Sequence, residues 1–468
     1  MGTEHRHGAL EERRAWIATA LLTVGTFVFS EWIALTQWLS GRWYLADVGN
    51  IHYCLFNTLH GRFMVSPLMG HLNHFAFHLT PFLILLVPLV PLSAYPVPLV
   101  TSYVVALSLC VPAMHLLARR CRVSPAGSVA LAWLFFANHF VGSLHLANHF
   151  EIFFVLFSLL AMAMRHSLLL FPLALLAMSV KEDATVWIGA WAFLEALLAK
   201  DKRFRRRMLL LSGIAVVYAV VAAGTIWFFQ QKFGRGALTD YGSRFSNFGF
   251  GLDTAVILLL LVVSFAGIPL FAGWRTLLIL IPLPMLLASF PFMRALLYYY
   301  SYPFLPLLAY LSCLGYRRVE LLARRRHWSY VRVALPFFLL VFGAVEYLLP
   351  TRTDGYRRLP FEVTARDRYR FELARTLLPL DAPLALQFGL WGITPHRLDT
   401  HLLSPRELRP CDWVFMDLNS PHGLQREEFI AVARQLLDEV RAGKRHAHHT
   451  AYDIFIVGPV EKSEAKNP

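Results

Sequence analysis

The chain has 468 residues, 57% of them hydrophobic and only 16% charged, with a formal net charge of +14. Soluble domains carry about a quarter charged residues, so this excess of apolar surface has to face lipid and a wholly soluble protein is excluded. A nucleic-acid partner is excluded as well, because the Lys and Arg residues sit in short clusters beside apolar runs, which is the pattern of membrane topology and not of a basic binding face. The five cysteines are scattered without a CxxC pair, so they indicate neither a zinc site nor a disulfide framework.

In chain order, Arg13 and Arg14 precede the apolar run Ala15–Trp38. That run is long enough to cross a bilayer, and no small-residue cleavage site follows it, so it reads as a first spanning helix and not as a cleaved signal. A long loop, 39–80, comes next and carries Asp47, His52, His60, His71, His74 and His78. The stretch Leu79–Ser93 is apolar but contains Pro81, Pro88 and Pro91, which suits an interfacial or re-entrant helix as well as a span. Further spans are expected over Val97–Leu117, Pro125–His145, Phe150–Met164, Ser167–Val180, Ala184–Ala199, Met208–Phe229, Gly251–Phe271, Thr276–Phe290, Ala295–Gly315 and Ser329–Leu348.

Basic clusters decide the parity. Arg119/Arg120/Arg122, Lys200–Arg207 and Arg317–Arg326 all fall on the cytoplasmic side, together with the N-terminal Arg pair, only if Leu79–Ser93 does not span. The expectation is therefore an all-α polytopic membrane bundle of about eleven transmembrane helices, residues 1–350, with interfacial helices in the first outer loop. The N-terminus would be cytoplasmic. A small soluble α/β domain, residues 351–468, would lie outside. In that tail Leu384–Gln387, Trp413–Met416 and Tyr452–Val457 read as short buried strands and Glu427–Val440 as a helix.

On this topology three polar groups share the outer face. The first loop offers Asp47 and the histidines, the turn HLANHFE offers His145, His149 and Glu151, and the turn KEDA offers Lys181, Glu182 and Asp183. Ionisable groups at membrane depth are costly and mark a functional site by default. Plainer roles stand beside that reading: Asp47 as a turn or cap residue, the histidines as solvated interface residues, and KEDA as a self-neutralising turn.

The chain resembles a family of predicted bacterial membrane proteins, domain-of-unknown-function family 2079, which is grouped with the GT-C class of lipid-linked sugar transferases. The resemblance is carried by ADVGNIHYCLFNTLHGR (46–62), HLTPFLILLVPL (78–89), NHFEIFFVLFSLLAM (148–162), MSVKEDATVWIG (178–189), YYYSYPFLPLL (298–308), LPLDAPLALQ (378–387) and CDWVFMDL (411–418). It departs from the family pattern in three places. Asp47-Val48-Gly49 replaces Asp-Leu-Gly, with Tyr53 and Cys54 near the place of a second acid. His149-Phe150-Glu151 replaces His-Pro-Glu, and Tyr299 stands where a histidine is common.

The resemblance implies a GT-C-like fold and an inverting glycosyltransferase that moves a sugar from a polyprenyl-phosphate donor to an envelope acceptor at the outer face of the bacterial cytoplasmic membrane. Asp47 would be the general base. Glu151, His149, Lys181, Glu182, Asp183, His78, Arg62 and Tyr299 would line the donor and acceptor site, with Lys181, Arg62 or Arg294 facing the phosphate. No cofactor is assigned, and a divalent ion, with Asp47, Glu151, His74 and His78 as candidate ligands, is kept open. The partners implied are the bilayer, the polyprenyl-linked sugar and the acceptor, with no nucleic acid. The rival readings are a transporter or flippase and a non-catalytic membrane scaffold.

Overall fold

A computed structural model describes residues 2–42, 45–67, 72–233, 249, 251–288, 290–404, 408–419, 426–451 and 453–460. His71, the first residue of the expected strand Tyr452–Val457 and most of the stretch between the expected spans Met208–Phe229 and Gly251–Phe271 lie outside the described residues. The chain is mostly helical. Its elements run α1 (Gly2–Leu39), α2 (Leu45–Leu59), the strand pair β1 (Val65–Ser66) and β2 (Leu72–Asn73), a 3₁₀ segment (Pro81–Leu92), α3 (Val97–Arg120), α4 (Pro125–Ala137), α5 (His139–Leu146), α6 (Ile152–Ala163), α7 (Leu170–Val180), α8 (Ala184–Leu198) and α9 (Lys202–Phe233). They continue with α10 (Leu252–Val263), a second 3₁₀ segment (Ile268–Leu280), α11 (Phe304–Arg325), α12 (Val331–Leu348), α13 (Ala365–Leu377), β3 (Leu384–Leu386), β4 (Thr400–Leu402), β5 (Trp413–Asp417), α14 (Arg426–Arg441), β6 (Arg445–His449) and β7 (Ile454–Pro459).

Four of the described helices are long and apolar enough to cross a membrane: Gly8–Leu39, Val97–Arg120, Lys202–Lys232 and Val331–Leu348; a fifth span arises if the bent pair α4–α5 counts as one. The eleven expected spans are not reproduced, because several apolar runs are built as shorter helices. Helices α6 and α7 have 12 and 11 residues, roughly 17–18 Å each at 1.5 Å per residue, short of the ~30 Å hydrocarbon core. The 12-residue segment Pro81–Leu92 is 3₁₀ and interrupted by Pro88 and Pro91, so it is about 24 Å long.

The chain packs as two compact units, one of 1–31, 75–83 and 102–359, the other of 32–74, 84–101 and 360–468. In the first unit the expected span Pro125–His145 is broken, and α4 and α5 meet at 50°. No proline sits at the break. Asn138 takes an extended conformation there, its side chain accepts from the Phe140 amide at 2.9 Å, and its amide nitrogen donates to the Ser264 hydroxyl at 2.8 Å. A helix end leaves its last carbonyls orphaned. Here the buried Arg358 guanidinium takes up those of Phe136, Ala137 and Asn138.

The second unit shows how the tail is held. Its sheet has the order β4-β3-β5-β7-β6, with β3 parallel to β4 and β5, and antiparallel pairing from β5 to β7 and β7 to β6. Period-two alternation splits its strands between two cores. Leu384, Leu386, Phe415, Ile454 and Ile456 face a cluster with Leu373, Trp391 and Tyr53, whereas Ala385, Val414 and Met416 face Val432 and Leu436 of α14. The three expected strands and the expected helix are present. The polar strand β6 (RHAHH), the short β4 and α13 are additions. Asp417, at the end of β5, is fully buried and pairs with Arg370 at 2.9 Å and with Arg366.

Helix α2 belongs to this second unit. Its face 49/52/53/56, set by the 3.6-residue repeat, packs on residues 391–396. Tyr53 meets Trp391 edge-on at 5.0 Å, Phe56 stacks on His396 at 4.1 Å, and His52 Nε2 lies 2.9 Å from His396 Nδ1. A Cβ on Gly49 would come within 2.5 Å of Trp391 Cβ and 3.2 Å of its backbone. The close approach explains why glycine stands at this point of the Asp-x-Gly stretch.

The histidine pair has a pH consequence. Burial, together with the neighbouring His396, lowers the His52 pKa to about 3, and burial with nearby His60 lowers His396 to about 4. Both rings are neutral in the folded unit while the unfolded chain takes up protons below about 6.5. The stability they contribute is therefore present above pH 6.5 and lost as pH falls toward 4. The loss is on the order of 2 kcal/mol, most of it from the fully buried His52, because solvent screens the half-buried His396. Melting curves of the wild type between pH 7 and 4.5 should show the drop, and His52→Leu should flatten it; an equal drop in the variant would remove the pair as its cause.

Candidate functional site

The ends of four helices in the first unit build a charged cluster. Glu151 precedes α6, Lys181 follows α7, Asp183 precedes α8, and Tyr302 lies two residues before α11. The turn into α6 is possible because Asn148 adopts a left-handed φ of 48°, which asparagine tolerates better than most residues. Helix dipoles favour anions at N-termini and cations at C-termini. Glu151 and Asp183 sit at the N-termini of α6 and α8, and Lys181 at the C-terminus of α7, so each charge matches its helix end.

Glu151 has no exposed surface, and its Oε1 accepts from Lys181 Nζ at 2.9 Å. Its second oxygen pairs with His149 Nδ1. His149 stacks on Tyr299 at 3.9 Å and an interplanar angle of 14°. Lys181 Nζ lies 5.3 Å from the centre of the Tyr299 ring and 5.5 Å from that of Tyr302, within cation–π range. The Tyr302 hydroxyl donates to Asp183. Burial raises the Asp183 pKa, and the Lys181 charge and the Tyr302 hydroxyl act against that rise. Glu182 Oε1 pairs with His78 Nδ1 at 2.8 Å, and Oε2 accepts the Leu79 amide at 3.1 Å.

Seven expected site residues, His78, His149, Glu151, Lys181, Glu182, Asp183 and Tyr299, thus fall in one unit and are linked through direct contacts in two groups. The first is centred on Glu151–Lys181 and reaches Asp183 through Tyr302. The second is His78–Glu182, joined to the first through the KEDA turn. Tyr302 was not singled out in the sequence, although it lies in the aromatic run YYYSYP. That run was itself the signal, since a Tyr buried beside charged turns needs a hydrogen-bond partner.

The remaining candidates are differently placed. Arg294 pairs with Asp253 at 2.8 Å. Asp47, His74 and Arg62 belong to the second unit. Asp47 is partly exposed in the first turn of α2, on the side opposite the face that packs on Trp391. His74 is buried, and Arg62 donates to the Leu398 carbonyl at 3.1 Å. Among the described residues, no three or more His, Cys, Asp or Glu side chains gather as a metal site.

Chemically, the first cluster is a closed assembly of one ammonium, two carboxylates and an imidazole, with two tyrosines. Such a group can exchange its internal ion pair for contacts to an entering anion, or pass protons between carboxylate and imidazole. No curated protein matches the chain. Residues 47–378 match the family of predicted membrane proteins DUF2079. The match begins at Asp47, takes in both charged turns, and spans more than two thirds of the sequence. The chain therefore belongs to the DUF2079 family of predicted membrane proteins.

Proposed function

We propose that the protein is a GT-C-type glycosyltransferase of the cytoplasmic membrane that moves a sugar from a polyprenyl phosphate to an envelope acceptor at the outer face. The observation that carries this reading is the Lys181–Glu151–His149 cluster, buried within an apolar bundle and flanked by Tyr299 and Tyr302. It lies at the ends of α6, α7, α8 and α11 that are remote from the basic clusters 200–207 and 317–326. Positive-inside orientation makes that end extracytoplasmic. In the reaction the acceptor oxygen attacks the anomeric carbon, its proton passes to a carboxylate base, the part that the family resemblance gives to Asp47, and the bond from the sugar to the phosphate oxygen breaks. The departing polyprenyl phosphate gains negative charge, which Lys181 stabilises on exchanging Glu151 for it. The cluster is closed, so donor entry requires local opening.

The test is turnover by the purified protein in liposomes loaded with polyprenyl-phosphate sugars, followed by release of polyprenyl phosphate. Release that needs an acceptor and is lost in Lys181→Met/Glu151→Leu at a wild-type melting point supports the transferase; no release from any of a panel of donors counts against it. One observation favours transport as a second reading. Helix α4–α5 is discontinuous, and at its break His139 pairs with buried Glu346 at 2.7 Å, the kind of broken helix that transporters place at their substrate sites. Movement of the lipid-linked sugar between leaflets without bond cleavage would favour it.

A further inference from the structure

At the end of α11 opposite the charged cluster the first unit holds a cavity of about 870 Å³, lined also by α1, the end of α3, the start of α4 and the start of α12. Six arginines face it: Arg14, Arg119, Arg122, Arg317, Arg324 and Arg332. Glu11 and Glu320 are the acidic residues of the lining, which leaves it strongly positive. Arg119 is engaged by Glu12 at 2.6 Å, and Arg317 by Glu320 at 3.4 Å. Glu320 also accepts the Ser124 amide at 3.2 Å. Among the described residues, Arg14, Arg122, Arg324 and Arg332 form no ion pair.

The rest of the wall is apolar. Ala18, Val129, Pro336 and Leu340 line the cavity below the arginines. The adjoining helix surfaces expose Leu21 and Val24 on α1 and Val333 and Phe337 on α12, each more than 60% exposed. Those are the faces that meet lipid tails. A free anion would need the arginines alone. A lipid needs an arginine-rich cap over an apolar wall that runs on into the bilayer, and both are present.

We propose that this cavity holds the headgroup of an anionic phospholipid, its phosphate bound by the unpaired arginines and its chains laid along α1 and α12. Guanidinium groups bind phosphate oxygens in bidentate fashion, and basic pockets between transmembrane helices on the cytoplasmic side hold anionic headgroups. The site is separate from the Glu151 cluster and does not depend on the transferase reading.

The full-length protein is placed in phosphatidylcholine nanodiscs with and without phosphatidylglycerol. Native mass spectrometry reads the phosphatidylglycerol retained, and melting reads the stabilisation. Wild type should retain the lipid and melt higher with it. Arg122→Gln/Arg324→Gln/Arg332→Gln should lower retention at least about tenfold while melting like wild type in pure phosphatidylcholine. Three results overturn the proposal. One is equal retention by that variant; another is equal loss on replacing Lys202, Arg203 and Arg206, a basic patch outside the cavity. The third is inorganic phosphate raising the melting point in phosphatidylcholine as much as phosphatidylglycerol does, which would mark a site for free anions. Should the triple variant fail to fold, Arg332→Gln alone, at an exposed position on α12, carries the same comparison: reduced retention supports the proposal and unchanged retention overturns it.

Discussion

Lys181→Met should destabilise the protein by about 3–5 kcal/mol, the cost of leaving one member of a buried ion pair without its partner. Glu151 has no contact with solvent and accepts from Lys181 and His149, so removal of the ammonium leaves a carboxylate in a low-dielectric pocket with only an imidazole beside it. The double variant Lys181→Met/Glu151→Leu should recover most of that loss, because a buried pair replaced by apolar residues of similar volume is often neutral or better. A cycle through Glu151→Leu, read by melting in detergent, isolates the coupling. A coupling near zero would mean that the pair is solvated and that the closed cluster is not what holds these turns together. If instead the double variant is stable but inactive in the liposome assay, the charges are retained for chemistry and not for folding.

How much of this was legible in the sequence follows from which signals are local. The KEDA and HLANHFE turns stood out because charges interrupt apolar runs, and that interruption is visible without a structure. Their pairing was not visible, because nothing in the spacing says that the carboxylate of Glu151 takes the ammonium of Lys181, thirty residues on. Lys181 had been read as a cation available to phosphate, and it is already partnered. The break inside Pro125–His145 was not visible for a related reason. Hydropathy reports apolar length, but the break at Asn138 depends on a side-chain cap and on a distant donor, Arg358. The tail's apolar strands were legible through their alternation. Strand β6 was not, since RHAHH carries no apolar period and is a strand only because β7 offers it an edge.

The docking of α2 is the clearest case of information absent from the sequence. Tyr53 stands near the place where the family has a second acid, and it is fully buried in the core of the second unit against Trp391. A carboxylate there would give up the edge-on contact with Trp391, so its absence fits the packing and leaves the acid chemistry of the first loop to one side chain.

Asp47→Asn is accordingly expected to lower sugar transfer by about 10²–10⁴-fold, the contribution of a positioned general base, while leaving the fold intact. The side chain is partly exposed in the first turn of α2, where its charge contributes about 0.3–1 kcal/mol through the helix dipole, and asparagine keeps its size and its hydrogen-bonding groups there. The face of α2 that anchors the helix lies opposite, through Gly49, His52, Tyr53 and Phe56, and the substitution does not touch it. Asparagine keeps the shape and the hydrogen bonding but cannot take up a proton, which separates base catalysis from mere placement of the acceptor. Asp47→Glu keeps the base but moves it by one methylene, and should retain more activity than Asn. The measurement is polyprenyl phosphate released per minute, with melting curves as the control. Transfer by Asp47→Asn at the wild-type rate, with an unchanged melting point, would take the base assignment away from Asp47 and leave the Glu151–His149 pair as the remaining proton acceptor in the chain's charged turns.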